Sequence, residues 1–209
     1  CVSKCDYLGL RIDQNLSWDD HVNKLCISLS LKVAKIRRLR QYLPQHIMIQ
    51  LYNAYIQPCI DYVLTVWGST TDKNIYKVQH FQNLSARIIV GDWDYINSRG
   101  IDIVHELNWM DVKERCKYLQ CLLMYKCIYG PAPDYLTGQI VMDIEVKERQ
   151  TRSHDMNVFT EIPPNELFKS KFMYSGAKHW NSLPNSIKEC NSILAFKSEL
   201  KRYIKSRDV

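Results

Sequence analysis

Apolar positions follow a helical period in the segment after Ser17. They recur at steps of three and four, which places them on one helix face: Val22, Leu25, Cys26, Leu29, Val33 and Ile36. Ser17 can cap the first turn, and Asp19 and Asp20 put negative charge where the helix dipole favours it. The pattern predicts a long amphipathic helix that ends at Leu43 and Pro44.

Helical periods cover most of the remaining chain up to Gly130. Pro58 lacks a backbone donor, so it predicts a kink or a new helix start. Glycine is the usual residue just past a helix end, and it punctuates this region. The further predicted helices are a second from Pro44 to about Tyr55, a third from Asp72 to Gly91 and a fourth from Asp111 to about Tyr129.

The pattern changes after Lys147. Residues 153–164 are predicted to be extended, because the two prolines that end this segment exclude helix there. Short helices are predicted at 167–180 and 193–205. At the other end of the chain, the sequence YLGLRID at residues 7–13 predicts a short strand. The predicted fold class is therefore mainly α, with a short strand before the helices and a small α+β module after them.

Positive charge is spread unevenly along the chain. The 209 residues carry a formal net charge of +6, and residues 1–60 hold 8 basic and 4 acidic side chains. Residues 61–150 hold 10 basic and 12 acidic side chains, and residues 151–209 hold 10 and 6. No Asp or Glu occurs between His21 and Ile60. This asymmetry fits a nucleic-acid partner better than a membrane surface.

The cations of the first helix share one face. Lys24, Lys35 and Arg38 lie opposite the apolar positions, and Lys32 lies at the edge. Lys24 and Arg38 are about 21 Å apart along the axis, or roughly six base-pair steps. An ordinary solvated face is the alternative interpretation, but such faces usually mix both signs of charge. The missing acids indicate that these four residues bind a polyanion.

Aromatic residues in the second and following helices allow two interpretations. Tyr42, Tyr52, Tyr55, Tyr62 and Trp67 could stack on bases. Their helical spacing is more typical of core packing. Packing is therefore predicted for this group.

Motifs for catalysis or metal binding are scarce. The 8 cysteines include no CxxC pair, and most lie in apolar helical segments where cysteine packs as a small hydrophobic residue. Asp92 and Asp94 form a DxD motif, but they follow the glycine that ends a predicted helix, so a solvated turn is favoured. No phosphate-binding glycine loop is present. No apolar run approaches the ~18 residues needed to span a bilayer.

Several separated motifs resemble one family when taken in order. They are YLGLRID, LSWDDHV, LYNAYIQPCIDYVLTVWG, FQNLSARII, LNWMDVKERCKYLQCLLMYKCIYGPAPDYL, TRSHD, WNSLPNSIKEC and AFKSELKRYI. Together they resemble the C-terminal part of jockey-type non-LTR retrotransposon (LINE) reverse transcriptases, over nearly the whole chain. Each motif is weak alone, and their order carries the resemblance.

The resemblance implies a polymerase palm end, a helical thumb-like bundle and a C-terminal extension. Tyr7, Leu8 and Gly9 would form a primer-grip-like strand near the primer end. The cationic helix would then be the first thumb element. The implied domains are the palm end at 1–15, the thumb-like domain at 16–140, a linker at 141–150 and the extension module at 151–209.

The resemblance also implies that the chemistry lies elsewhere. In that family, the aspartates that hold two metal ions include a box of the FADD or YADD kind upstream of the YLG motif, and this sequence has no such box. The chain alone is expected to be inactive, with no catalytic residue, metal site or cofactor of its own. The parent polymerase would need magnesium (Mg).

The expected partners follow from the same resemblance. They are an RNA template, a DNA primer strand, the upstream palm and fingers and a possible endonuclease domain, in the nucleus and cytoplasm. Because the chain begins with Cys1, it is expected to be a fragment of a longer polypeptide. A non-enzymatic helical interaction module derived from a retrotransposon is the alternative, and an unrelated metal-dependent nuclease is disfavoured.

Overall fold

The computed structural model describes residues 3–130, 132–143 and 156–206. The chain is mainly α, as predicted, and it divides into two compact units between Arg115 and Cys116. None of the helices in the described part of the chain is long and apolar enough to cross a bilayer.

The first unit contains a β-hairpin and a set of packed helices. Its elements are β1 Lys4–Tyr7, β2 Leu10–Asp13, α1 Asp19–Leu39, α2 Gln45–Tyr55, α3 Gln57–Asp61, α4 Leu64–Trp67, α5 Asp72–Val90 and α6 Gly100–Glu106. Helix α7, Val112–Tyr129, starts in this unit and continues into the second. The predicted break at Pro58 is confirmed, since α3 starts there with proline in its first turn. Helix α6 was not predicted.

The segment predicted as one strand, YLGLRID, is a hairpin instead. Strands β1 and β2 pair antiparallel, with Tyr7 opposite Leu10. Leu8 and Gly9 form the connecting turn and have φ values of 46° and 81°. Positive φ at both central residues is the geometry that matches the twist of a two-residue hairpin. The single-strand prediction was wrong because Leu-Gly is not one of the usual turn signals.

Helix α1 begins one residue later than predicted. Trp18, not Ser17, occupies the N-cap position, with a left-handed φ of 64°. Ser17 Oγ still accepts a hydrogen bond from the backbone of Asp19 at 3.3 Å and donates one to Asp13 at 2.8 Å. The buried Trp18 ring packs edge-on against His21. Burial of this indole accounts for the shifted helix start.

The core of the first unit lies between α1 and α5. Four of the six residues on the predicted apolar face of α1 are buried: Val22, Leu29, Val33 and Ile36. The other two, Leu25 and Cys26, are half-buried. Helix α5 starts at Asp72, as predicted, and Thr71 occupies its N-cap position. Its predicted end is confirmed, since Gly91 has φ 86° and donates its N–H to the Arg87 carbonyl.

A polar network crosses this core. The buried Gln82 side chain donates to Tyr52 Oη at 3.2 Å, and Tyr52 donates in turn to Gln57 at 2.7 Å. Gln57 donates to Asp61, whose two oxygens also accept from Arg115 at 2.9 and 2.7 Å. Burial raises the pKa of the Tyr52 hydroxyl, which keeps it a neutral donor. The network holds α2, α3, α5 and the start of α7 in one arrangement.

The predicted packing role of the aromatic group is only partly confirmed. Tyr52 and Trp67 are buried, and Tyr52 stacks on Trp109 with 3.9 Å between ring centroids. Tyr42 and Tyr62 are exposed instead. Exposure leaves these two rings available for other contacts.

The second unit is built from the rest of α7 and short helices. These are α8 Asp134–Thr137, α9 Glu166–Ser170, α10 Phe172–Asn181, α11 Asn185–Lys188 and α12 Ile193–Ser206. Its core centres on Trp180 and Phe196, which pack with Tyr125. The helix predicted at 167–180 is interrupted at Lys171, and a single antiparallel bridge joins Met142 and Val158.

The two compact units meet at Arg115 and Cys116, within the range 16–140 of the implied thumb-like domain. The division falls inside α7, because the later part of this helix contacts residues of the second unit. For example, the Gln120 side chain forms hydrogen bonds with Ser175 and His179. The implied linker at 141–150 lies mostly outside the described residues. The domain limits 1–15, 16–140 and 151–209 stay a prediction.

Candidate nucleic-acid interface

The outer face of α1 carries exposed cations. Lys24, Lys35 and Arg38 are all exposed, and no acidic group pairs with Arg38 among the described residues. Ile27 and Leu31 on the same helix are 66% and 63% exposed. We call the surface formed by these five residues the α1 face. It combines positive charge with apolar area.

Lys32 lies in a different environment. It is half-buried, and its ammonium lies 3.9 Å from the centre of the Tyr55 ring and 3.3 Å from the Tyr55 carbonyl oxygen. Lys35 donates to the Tyr55 hydroxyl at 3.3 Å while it stays exposed. Cation–π and hydrogen bonds to one tyrosine hold Lys32 at the edge of the α1 face. Lys32 is therefore less available to a phosphate than Lys35.

Exposed ion pairs connect the hairpin with the start of α1. Asp6 accepts from Arg11 at 2.9 and 3.2 Å, and Lys24 lies 3.5 Å from the same carboxylate. The hydrogen bond from Arg11 is the main cause of the lowered pKa of Asp6. Lys4 pairs with Asp20 at 2.6 Å. Exposed pairs of this kind are weak, so a phosphate can compete with Asp6 for Lys24.

The hairpin tip presents apolar side chains to solvent. Tyr7 and Leu8, two of the three primer-grip-like residues, are 63% and 72% exposed. The Tyr62 hydroxyl donates to the Leu8 carbonyl at 2.5 Å and supports the turn from below. Gly9, the third residue, lines a cavity of about 400 Å³ with Lys24, Tyr62 and neighbouring side chains. The hairpin tip and the cationic helix thus adjoin one concave surface.

His21 lies at the floor of this cavity as a neutral side chain. Burial, with a smaller contribution from the charge of Lys24, lowers its pKa. The Arg11 backbone N–H donates to its Nδ1 at 3.5 Å. Neutral His21 therefore adds no positive charge to the cavity, and Lys24 is the cation at its rim.

The turn conformation gives Gly9 a testable structural role. We expect Gly9→Ala to lower the free energy of unfolding by about 1 kcal/mol, because a side chain at φ 81° is strained. The nearest atom to an added Cβ, on the Tyr62 ring, is 3.5 Å away, so the strain arises in the backbone. Urea denaturation measures the change.

Gly68 is the matched control for this substitution. Its φ is −68°, which any residue adopts, so Gly68→Ala is expected to change stability by less than about 0.5 kcal/mol. Equal effects of the two substitutions would contradict the turn assignment.

Two curated proteins from Drosophila melanogaster match part of this chain. A probable RNA-directed DNA polymerase from transposon X-element is 32% identical over 91 residues, which cover 42% of this chain and 10% of that protein. The RNA-directed DNA polymerase from mobile element jockey is 27% identical over 99 residues, which cover 46% and 11%. The chain is similar to part of these two retrotransposon reverse transcriptases over less than half of its length. The resemblance inferred from the ordered motifs is confirmed.

The match covers only a small part of each relative. The chain spans about a tenth of the length of the curated relatives it matches. No family model and no solved structure matches it.

One group of potential metal ligands occurs among the described residues. Ligand atoms of His105, Asp111 and Glu114 all lie within 4.8 Å of one another. The two carboxylates form a capping box: Glu114 accepts from the Asp111 backbone N–H at 2.8 Å, and Asp111 accepts from that of Glu114 at 2.7 Å. Their arrangement is explained by the start of α7, and it does not resemble a polymerase metal site.

The DxD motif of this region is also structural, as predicted. Asp92 and Asp94 accept hydrogen bonds from backbone amides two residues further on. The hydrogen bond from Ser98 to Asp92 and those from Asn97 to Asp94 are the main causes of the lowered pKa of these carboxyls, and the two backbone bonds lower it further. The two acids fold a turn after α5.

Sequence reasoning missed the arginines that face this turn. Arg37 lies over the Trp93 ring with 4.8 Å between its guanidinium carbon and the ring centre, and Arg40 donates to the Ile88 carbonyl at 3.1 Å. Arg40 thereby satisfies a carbonyl at the end of α5, where a cation is favoured. Only the acid-free run between His21 and Ile60 hinted at them.

Proposed function

We propose that the first unit holds a primer–template duplex as part of the thumb of a retrotransposon reverse transcriptase. The observation that carries the proposal is the α1 face, where three exposed cations follow one helix and the first of them, Lys24, lies 3.5 Å from Asp6 of the hairpin. The family relationship supports it, because both relatives are named RNA-directed DNA polymerases.

The contacts would be made mainly with phosphates. Lys24, Lys35 and Arg38 would each neutralise a phosphate along about 21 Å of helix. The tip residues Tyr7 and Leu8 would contact the sugar-phosphate backbone of the primer strand near its end. Backbone contacts position a duplex without selecting its sequence, which suits an enzyme that copies any template.

The chemistry of nucleotide addition would come from another part of the polymerase. A palm with carboxylates would hold the magnesium ions that activate the primer hydroxyl. The role of this region is to keep the duplex in place, and we expect no polymerase activity from it alone.

Salt dependence tests the proposal. We expect the chain to bind a fluorescein-labelled RNA–DNA hybrid, with affinity falling roughly 40-fold between 50 and 200 mM salt if three phosphates are contacted. Fluorescence anisotropy measures the affinity and its change with salt concentration. An affinity that does not change with salt would contradict phosphate binding.

The exposed Ile27 and Leu31 favour a second candidate function. Two apolar residues at i and i+4 on the α1 face could dock a partner protein, as in a non-enzymatic interaction module. In that case Ile27→Ser with Leu31→Ser would abolish partner binding and leave hybrid binding unchanged. Loss of hybrid binding without loss of charge would point to apolar contacts with nucleic acid instead.

A further inference from the structure

The turn after α5 is held rigidly by a buried arginine. Arg87 is buried, and its guanidinium donates to the Asp94 carbonyl at 3.2 Å, to Ser98 Oγ at 3.0 Å and to the Ser98 carbonyl at 2.5 Å. It also lies 3.5 Å from the Asp92 carboxylate. One side chain thus fixes both ends of the segment 92–98.

This rigid turn exposes three large apolar side chains. Trp93 is 44% exposed, Tyr95 is 62% exposed and Ile96 is 94% exposed. The rigid backbone means that little conformational entropy is lost when a ligand contacts them. Exposed aromatic rings on a preorganised loop are typical of a binding surface.

Arginines back both rings. The Arg87 guanidinium lies 4.5 Å from the Tyr95 ring centre, and Arg37 lies 4.8 Å from that of Trp93. Arg37 and its neighbour Arg38 are exposed at the end of α1. Exposed cations beside the rings can neutralise the phosphates of a strand whose bases stack on them.

The acids of the turn are engaged by hydrogen bonds from within the turn. Asp94 accepts from the backbone amides of Ile96 and Asn97 and from the Asn97 side chain. Asp92 accepts from the Asp94 amide and the Ser98 hydroxyl, and it pairs with Arg87. Both carboxylates accept hydrogen bonds within the turn, and the exposed Arg37 lies over the Trp93 ring.

We propose that Trp93 and Tyr95, with Arg37 and Arg38, bind single-stranded nucleic acid by stacking its bases. Unpaired strands are favoured over a duplex because only unpaired bases expose the faces that stack on aromatic rings. This inference rests on the proposed function, since Arg38 would serve both surfaces. The natural ligand would be the unpaired template strand that adjoins the duplex.

Tryptophan fluorescence gives a direct readout. Of the 5 tryptophans, Trp18, Trp67 and Trp180 are buried and Trp109 is half-buried, so Trp93 is the most exposed. Binding of an oligothymidine is expected to quench the emission of the wild-type chain. In Trp93→Phe the quenching is expected to disappear while most of the affinity remains, because phenylalanine still stacks.

Affinity measurements with hybrids separate this inference from the proposed function. A labelled RNA–DNA hybrid with a single-stranded RNA overhang is compared with the same hybrid with blunt ends. We expect the overhang to tighten binding roughly tenfold, the contribution of about one stacked base, and Trp93→Leu to remove that gain. Trp93→Leu is expected to leave blunt-hybrid binding unchanged.

Tyr135→Leu is the matched control, since Tyr135 is also exposed, at 71%, but lies in the second unit. The inference would be overturned if the overhang added no affinity, or if the gain in affinity persisted in Trp93→Leu. Binding of the blunt hybrid tests the proposed function separately. Overhang and oligothymidine binding without blunt-hybrid binding would support this surface and contradict the duplex proposal.

Discussion

Changing Lys24, Lys35 and Arg38 together to glutamate is expected to lower affinity for an RNA–DNA hybrid by about 100-fold or more at low salt. At low salt each phosphate contact contributes roughly tenfold in affinity through counterion release, so three lost contacts correspond to about 100-fold or more. Reversing the charge adds repulsion to this loss. Fluorescence anisotropy at a fixed low salt concentration measures the change.

A control with the same change in net charge makes the result specific. Lys126, Lys178 and Lys201 are exposed in the second unit, and their change to glutamate alters the net charge equally. We expect this variant to lose much less affinity than the α1 variant. Equal losses would mean that net charge alone, rather than the α1 face, governs binding.

Acid is expected to destabilise the second unit through His179. Burial, then the charges of Lys117 and Lys178, lowers the pKa of His179 to about 4. Its neutral ring bonds to Gln120 Oε1 at 2.8 Å through Nδ1. In the unfolded chain the pKa returns to about 6.5, so between these values only the unfolded chain binds the proton.

The sign of the effect follows from that difference. The stability is fully present above pH ~6.5 and is lost as the pH falls toward the folded pKa, by on the order of 3 kcal/mol. Urea denaturation at pH 7 and at pH 4.5 measures the loss. His179→Gln keeps a hydrogen-bonding side chain but cannot titrate, so its stability should fall less over the same range. An unchanged loss in that variant would contradict the assignment to His179.

Periodicity was sufficient to predict the long helices. The apolar face of α1, the end of α5 at Gly91 and the extent of α7 all follow from spacing and terminal residues. These helices are long, and the buried face of each one can be predicted from residues that are close in sequence. Apolar spacing and helix-end residues depend only on neighbours along the chain, so they can be recognised in a single sequence.

Turns and short elements were harder to predict. Leu8 and Trp18 adopt positive φ, which the identity of neither residue favours. Their conformations follow from long-range contacts, such as the Tyr62 hydroxyl on the Leu8 carbonyl. Helix α6 spans only Gly100–Glu106, too short for a helical period to be distinct.

The candidate interface was predictable as charge but not as geometry. The acid-free run identified the cations of α1, yet the partner of Lys32 is Tyr55 and that of Arg37 is Trp93. Both partners are distant in sequence and are brought close only by the packed helices. The second binding surface could therefore not be inferred before the fold was known.

The most direct test of duplex binding by the α1 face is a comparison of salt slopes. Wild type and a neutral variant, with Lys24, Lys35 and Arg38 all changed to glutamine, are titrated with a blunt RNA–DNA hybrid at several salt concentrations. We predict that the slope of log affinity against log salt is shallower by about 2.7 in the variant, because each of the three lost phosphate contacts removes ~0.9. Parallel slopes would contradict the proposal that these three residues bind the duplex.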